Sequence, residues 1–197
     1  MAVLLVHGIW NTGRQFARMK QALELSGIGP VHAVDLAPNS GAAPITELAP
    51  QVAAAARRLL DESGAERVDV VGFSMGSLVS RCWIQRYGGR GVVRRFVSIA
   101  GPQRGTLSAY ALRLAGVRDM RPGSALLCDL ERPDDVWREV ELHCLWTPFD
   151  LMIMPGKSGV LAGARSVQRI PVLLHRQMIQ DRRVIEAVVG ILTRQGG

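Results

Sequence analysis

Ser74 stands between two glycines in the stretch Gly72-Phe73-Ser74-Met75-Gly76. There a run of β-branched residues gives way to Leu78, Val79 and Cys82 at helical spacing. A serine hydroxyl is a weak nucleophile and needs an adjacent base to take its proton. It must also project into a site, and a sharp strand-to-helix turn does this while crowding the neighbouring residues. Glycines at 72 and 76 relieve that crowding because neither has a Cβ. A helix beginning at Met75 aims its free N–H groups and positive dipole end at any oxyanion formed beside the serine. These are the mechanics of a nucleophile elbow.

The base and its orienter are sought downstream. Of four histidines, His7 belongs to "HG", His143 lies inside an apolar strand pattern, and His32 is near the start of its strand. His175, in "PVLLHRQMIQD", follows a short strand and precedes the last helix, so it is the candidate base. An acid must accept the imidazole N–H and fix its tautomer. Asp150 fits, because "ELHCLW" is strongly apolar and "TPFD" breaks it. Asp119, Asp129, Asp134 and Asp135 lie in a loosely patterned middle region, and Asp181 reads as a helix N-cap.

"HGIW" follows the first strand. The Ile9 amide, with that of Met75, is the candidate oxyanion hole, and such donors typically contribute about 10²–10³ in rate. Met75 is expected to serve through its amide more than its side chain. Trp10, Leu151 and Ile153 are candidate walls of a substrate pocket, with core packing the plainer reading for Trp10.

These residues need elements to hold them. Short apolar runs alternate with longer helical patterns. Strands are predicted at Val3–Val6, Val31–Leu36, "RVDVVGF", "VVRRFVSIAG", Val140–Thr147 and, more briefly, "RSVQRI". Helices are predicted over "NTGRQFARMKQALELSG", from about Leu48 to Ser63, from Met75 onward, and over Asp181 to Arg194. Between Gly101 and the fifth strand two short helices are expected. Such alternation implies right-handed βαβ units: an α/β fold of about six parallel strands with helices on both faces. Ligands then sit beyond the carboxyl ends of the strands, where all the candidates fall.

The totals set bounds. A chain of 197 residues with 48% hydrophobic and 21% charged content suits one domain, 1–197. No apolar run approaches the roughly 20 residues of a membrane span. The apolar start is too short for a signal peptide and lacks a basic region, so a cytoplasmic location is the default unless a leader has been removed. Cys82, Cys128 and Cys144 are widely spaced in apolar contexts and read as buried small side chains, neither disulfides nor a zinc site. The net charge of +7 comes from basic residues that are all arginine save Lys20 and Lys157. They are scattered, with little aromatic interleaving, which argues against nucleic acid as a partner.

The segments "VLLVHGIW", "VDVVGFSMGSLVSR", "FVSIAGPQRGT", "TPFDLMIMP" and "VLLHRQMI" together resemble the α/β-hydrolase superfamily, and within it the small, minimal lipases of bacteria. The resemblance covers most of the chain. It implies hydrolysis of a small-molecule or lipid ester through an acyl-enzyme, with Ser74 as nucleophile, His175 as base then acid, and Asp150 as orienter. It implies no cofactor, and no calcium-ligand cluster is legible, so no metal is expected. An acyltransferase or a non-catalytic binding member on the same fold are the alternatives. About 40 residues separate Ala100 from the fifth strand, too few for a large lid, so the serine is expected to be open to solvent.

Overall fold

In the computed structural model, which describes residues 1–194, the apolar runs form strands β1 (Ala2–Val6), β2 (Val31–Val34), β3 (Val68–Phe73), β4 (Val93–Ile99), β5 (Glu141–Trp146) and β6 (Ser166–Arg169). They pair in one parallel sheet of order β2-β1-β3-β4-β5-β6. Parallel strands must be joined by crossovers, and the helices that make them bury both faces of the sheet.

The period-2 alternation of strand side chains is visible in the core. Ala2, Leu4 and Val6 of β1 face helices α2 (Ile45–Ser63) and α3 (Met75–Arg86), with Leu48, Val52, Leu78 and Trp83 in the same cluster. Val3 and Leu5 face the opposite cluster. That one is built on α1 (Ala17–Leu25) and the C-terminal helix (Arg182–Thr193), through Phe16, Met19, Val184 and Val188. Chain order runs from β1 outward to β2, then back across β1 to β3 and on to β6. The winding direction therefore reverses between β1 and β3, and the loops after these two strands open a crevice.

Several boundaries differ from the sequence pattern. Helix α2 starts at Ile45, a turn earlier than Leu48, and encloses Pro50. The first helix begins with a 3₁₀ turn at Gly13–Phe16. The segment after β4 is more broken than two helices. It holds a 3₁₀ turn (Leu107–Tyr110), then α4 (Ala115–Asp119), α5 (Ala125–Leu130) and α6 (Val136–Glu139), making the C-terminal helix α7. Pro122-Gly123 and Pro133 lie between these helices, where proline cannot continue one. Ser124 caps α5 by accepting the Leu127 N–H, and Asp181 caps α7 by accepting the Arg183 N–H.

The cysteine expectation needs one correction. Cys82 and Cys144 are buried free thiols, pushed up to about 12 and about 11 by desolvation and so inert. Cys128 is exposed, because it sits on the outer side of α5 while Leu127 and Leu130 face the core.

Candidate active site

Three of the strand-end loops converge. Ser74 follows β3 at φ 52°, ψ −127°, a left-handed backbone conformation rarely adopted by a residue with a Cβ. Such conformations cost about 1–3 kcal/mol and persist where the surroundings fix them. Two glycines do the fixing. A Cβ at Gly72 would lie 2.7 Å from the Cα of Ser77, and one at Gly76 would collide with the carbonyl oxygens of Val6 and His7. The elbow is therefore packed directly against the end of β1.

The Ser74 hydroxyl lies 2.8 Å from His175 Nε2, and His175 Nδ1 lies 2.7 Å from Asp150 Oδ2. Because the carboxylate can only accept, Nδ1 carries the proton and Nε2 is free to accept from the serine. The other Asp150 oxygen, Oδ1, accepts the N–H groups of Met152 and Ile153, both at 2.9 Å. A buried carboxylate with its lone pairs so occupied holds one orientation. The His175 ring also lies against Phe73, with centroids 4.8 Å apart.

One residue in this arrangement was not read from the sequence as functional. The Thr106 hydroxyl donates to the Met152 carbonyl and accepts the Met154 N–H, each at 2.8 Å. It thereby ties the loop after β4 to the loop carrying Asp150. Its signal was the Gly-Thr that ends "AGPQRGT", but the partners are backbone groups nearly fifty residues away.

Ile9 and Met75 flank the serine as expected. Among the described residues neither amide donates to a protein acceptor. The Met75 side chain is also wholly buried in the core beside α2, so it packs as well as presenting its amide.

Two crevices meet at Ser74. One, of about 180 Å³, is almost entirely apolar and is lined by Ile9, Ala109, Leu112, Val117, Met120 and Ile153, among others. The second, of about 210 Å³, is bounded by Trp10, Asn11, Met152, His175 and Arg176. Trp10 and Ile153 thus line the crevices. Leu151 does not: it is 75% exposed and faces away, because the turn that aims the Met152 and Ile153 amides at Asp150 swings it outward. Ser74 itself is only 7% exposed. It sits on a crevice floor rather than in the open, since the 3₁₀ turn and α4 build a wall over it. A larger cleft, about 530 Å³, is lined by Arg81, Trp137 and Asp134 and touches none of these residues.

The rival residues have other work. His7 donates from Nδ1 to the Gly8 carbonyl and accepts the Leu36 N–H at Nε2. Asp119 accepts the Ile45 N–H, and Asp129 and Asp134 pair with Arg86. No group of three or more metal-binding side chains occurs among the described residues, and no helix there is long and apolar enough to cross a membrane.

Comparison with known proteins agrees with this fold. The family model described as palmitoyl protein thioesterase matches residues 2–157. The mature lipase BlEst2 of Bacillus licheniformis superposes with a TM-score of 0.84 at 15% identity, over 98% of this chain and 92% of that one. Lipase B of Aspergillus fumigatus gives 0.81 at 17% identity, over 99% and 53%. A bromoperoxidase of Bacillus anthracis gives 0.64 at 14% identity, over 98% and 92%. At such identities the likeness is one of fold, an α/β-hydrolase of the minimal lipase type.

Proposed function

The chain belongs to the palmitoyl protein thioesterase family, and on that premise we propose that it is a serine hydrolase cleaving acyl esters through a Ser74-His175-Asp150 triad. The observation that carries this is the unbroken hydrogen-bond chain from the serine hydroxyl to a fixed carboxylate, at the junction of an apolar crevice and a second, more polar one.

In this mechanism His175 Nε2 takes the Ser74 proton as Oγ attacks the acyl carbonyl. The tetrahedral oxyanion is received by the amides of Ile9 and Met75, and Asp150 stabilises the imidazolium that forms. His175 then protonates the departing oxygen or sulfur, leaving an acyl-serine. Water, deprotonated by the same nitrogen, attacks that acyl-serine and regenerates the enzyme. The acyl chain occupies the crevice lined by Leu112, Val117 and Met120, while the leaving group occupies the side of Asn11 and Arg176. The family's description names a thioesterase, and thioesters and oxygen esters both fit this chemistry, since the acyl-enzyme is common to them.

The deciding experiment is labelling with a fluorophosphonate, read by intact mass. The wild type is expected to gain one adduct and the Ser74→Ala variant none. Labelling that survives the substitution overturns the assignment. Matched oxygen-ester and thioester substrates of equal acyl length then rank the two leaving groups.

A further inference from the structure

The cleft of about 530 Å³ at Arg81 shares no lining residue with either crevice at Ser74. It opens between α3, the loop after β4, the turn joining α5 to α6, and the segment before β6. Leu130, Pro133, Trp137 and Leu161 give it apolar walls.

Arg81 is its unusual member. Only 2% of the residue is exposed. No carboxylate lies within ion-pair distance of it among the described residues. A buried cation ordinarily has a charged partner. The acceptors of Arg81 are instead neutral. Nε donates to Gln85 Oε1, Nη1 to the Gln103 carbonyl and Nη2 to the Leu130 carbonyl, each at 2.7 Å. A guanidinium has five N–H groups. One N–H on each terminal nitrogen is therefore left without a protein acceptor among the described residues. Desolvation pushes the group down to about 10, so it stays charged at neutral pH while lacking full compensation.

The other charges on the cleft narrow its occupant. Asp134 is already engaged, with Oδ2 accepting from Arg86 and Oδ1 accepting from Arg90 and the Val136 N–H. Arg132 pairs with Asp129. Arg81 and Arg104 remain, opposed by Glu131, and none of the three has an ion-pair partner among the described residues. Two free cations and one free acid leave room for one negative charge and disfavour two.

We propose that this cleft binds a small organic monocarboxylate, its oxygens on the terminal nitrogens of Arg81 and its apolar body against Trp137 and Leu161. A carboxylate brings two acceptors to two idle donors, the pairing that a guanidinium fork serves best. Glu131 at the rim repels a phosphate dianion. The inference rests on the cleft and not on the chemistry at Ser74, so the Ser74→Ala protein should bind the ligand like the wild type.

The test is a titration of the ¹⁵N-labelled full chain with phenylacetate, followed by NMR at the Arg81 Nε–H and the Trp137 indole N–H. Both signals are expected to shift, with a dissociation constant below about 5 mM, an affinity within reach of about ten heavy atoms. Phenylacetamide, which has the same shape without the charge, phenyl phosphate and acetate should each bind more weakly. Arg104→Gln should weaken phenylacetate binding by about twofold to fivefold, and Glu131→Gln should strengthen it by a similar factor. Both are exposed positions away from the crevices, so hydrolysis of a soluble ester should be unchanged, which also reports that the variants fold. Signals at Arg81 and Trp137 that stay fixed up to about 20 mM ligand would overturn the proposal. So would equal binding of phenylacetamide, shifts confined to Ile9 and Val117 of the crevices, or two variants that change affinity in the same direction or not at all. Loss of ester hydrolysis in Ser74→Ala with phenylacetate binding intact would separate this reading from that of the catalytic site.

Discussion

Asp150 accepts three N–H groups, one from His175 and two from its own loop. An amide in its place can still accept from the loop, but it presents an N–H to the imidazole or forces the wrong tautomer. Asp150→Asn is therefore expected to fold and to lose about 10⁴-fold in kcat, measured with a chromogenic ester. Thr106 acts one step further out. Thr106→Val strands the Met154 N–H, while the Met152 carbonyl keeps the Ser108 hydroxyl, and should cost about 1–3 kcal/mol of stability and lower kcat. Thr106→Ser should retain both bonds of the hydroxyl. If valine is as active as threonine, the hydroxyl only fills space. Ser74 and Asp150 were legible because each follows an apolar, buried strand and interrupts it, whereas His175 was picked out by its place between the short β6 and the last helix. Thr106 was not, since a hydroxyl that bonds backbone groups leaves no pattern in the types of its partners. Leu151 was misread for a related reason. An apolar residue beside a catalytic acid looks like pocket lining until the turn's backbone bonds decide which side chains face in.

Alternation of strand and helix was plain in the sequence because both faces of the central strands are buried, making β1, β3 and β4 rich in Val, Leu and Ile, while the edge strand β6, Ser-Val-Gln-Arg, is partly exposed. The stretch from Gly101 to Val140 was harder. Its helices are four to six residues long, too short for a 3.6-residue period to show. Yet it supplies Ala109, Leu112, Val117 and Met120 to the apolar crevice beside Ser74. The junction of β3 and α3 makes the sharpest forecast. Gly76→Ala gains helix propensity of about 1 kcal/mol, but its methyl collides with the carbonyls of Val6 and His7. Overpacking of that kind costs about 1–3 kcal/mol, occasionally more, so net destabilisation is expected in a denaturant titration. Gly64 is the control. It caps α2 at φ 65° with nothing within 4 Å of a built Cβ. Gly64→Ala should cost only the conformational strain of about 1 kcal/mol.

The stability of the folded chain should also report its buried histidines. Desolvation holds His7 and His143 below the ordinary histidine value of 6.5. For His7, protonation would turn Nε2 into a donor facing the Leu36 N–H. For His143, the groups facing the ring are Glu141, Arg95, Arg165 and Ser166. The unfolded chain takes up protons near 6.5 that the folded chain refuses. Stability is thus full above that value and declines as pH falls through it. Asp129, Glu139 and Asp181 are held below their usual range by hydrogen bonds from Arg86, Arg90 and Arg183, so their losses begin only in stronger acid. Melting temperature should therefore fall by several degrees between about pH 7 and pH 5, ahead of the transitions of those three carboxylates. A flat curve over that window would contradict the buried neutral rings. Only the fold shows that Trp10, Leu107, Tyr110, Leu173 and Leu174, distant in sequence, are exposed on loops at one end of the sheet.

The loop from Asp150 to Ile153 has a consequence for anyone reshaping this protein. On the proposed mechanism three of its residues, Asp150, Met152 and Ile153, contribute the carboxylate that orients the base, the two amides that steady it, and part of the wall against which an acyl chain rests. Selectivity and turnover are mechanically joined there. Trimming Met152 or Ile153 to admit a bulkier chain would loosen the amides that hold Asp150, so a broader substrate range gained at that wall would come with a slower enzyme. Engineering that aims to change one without the other has to work from the opposite wall, at Leu112, Val117 or Met120.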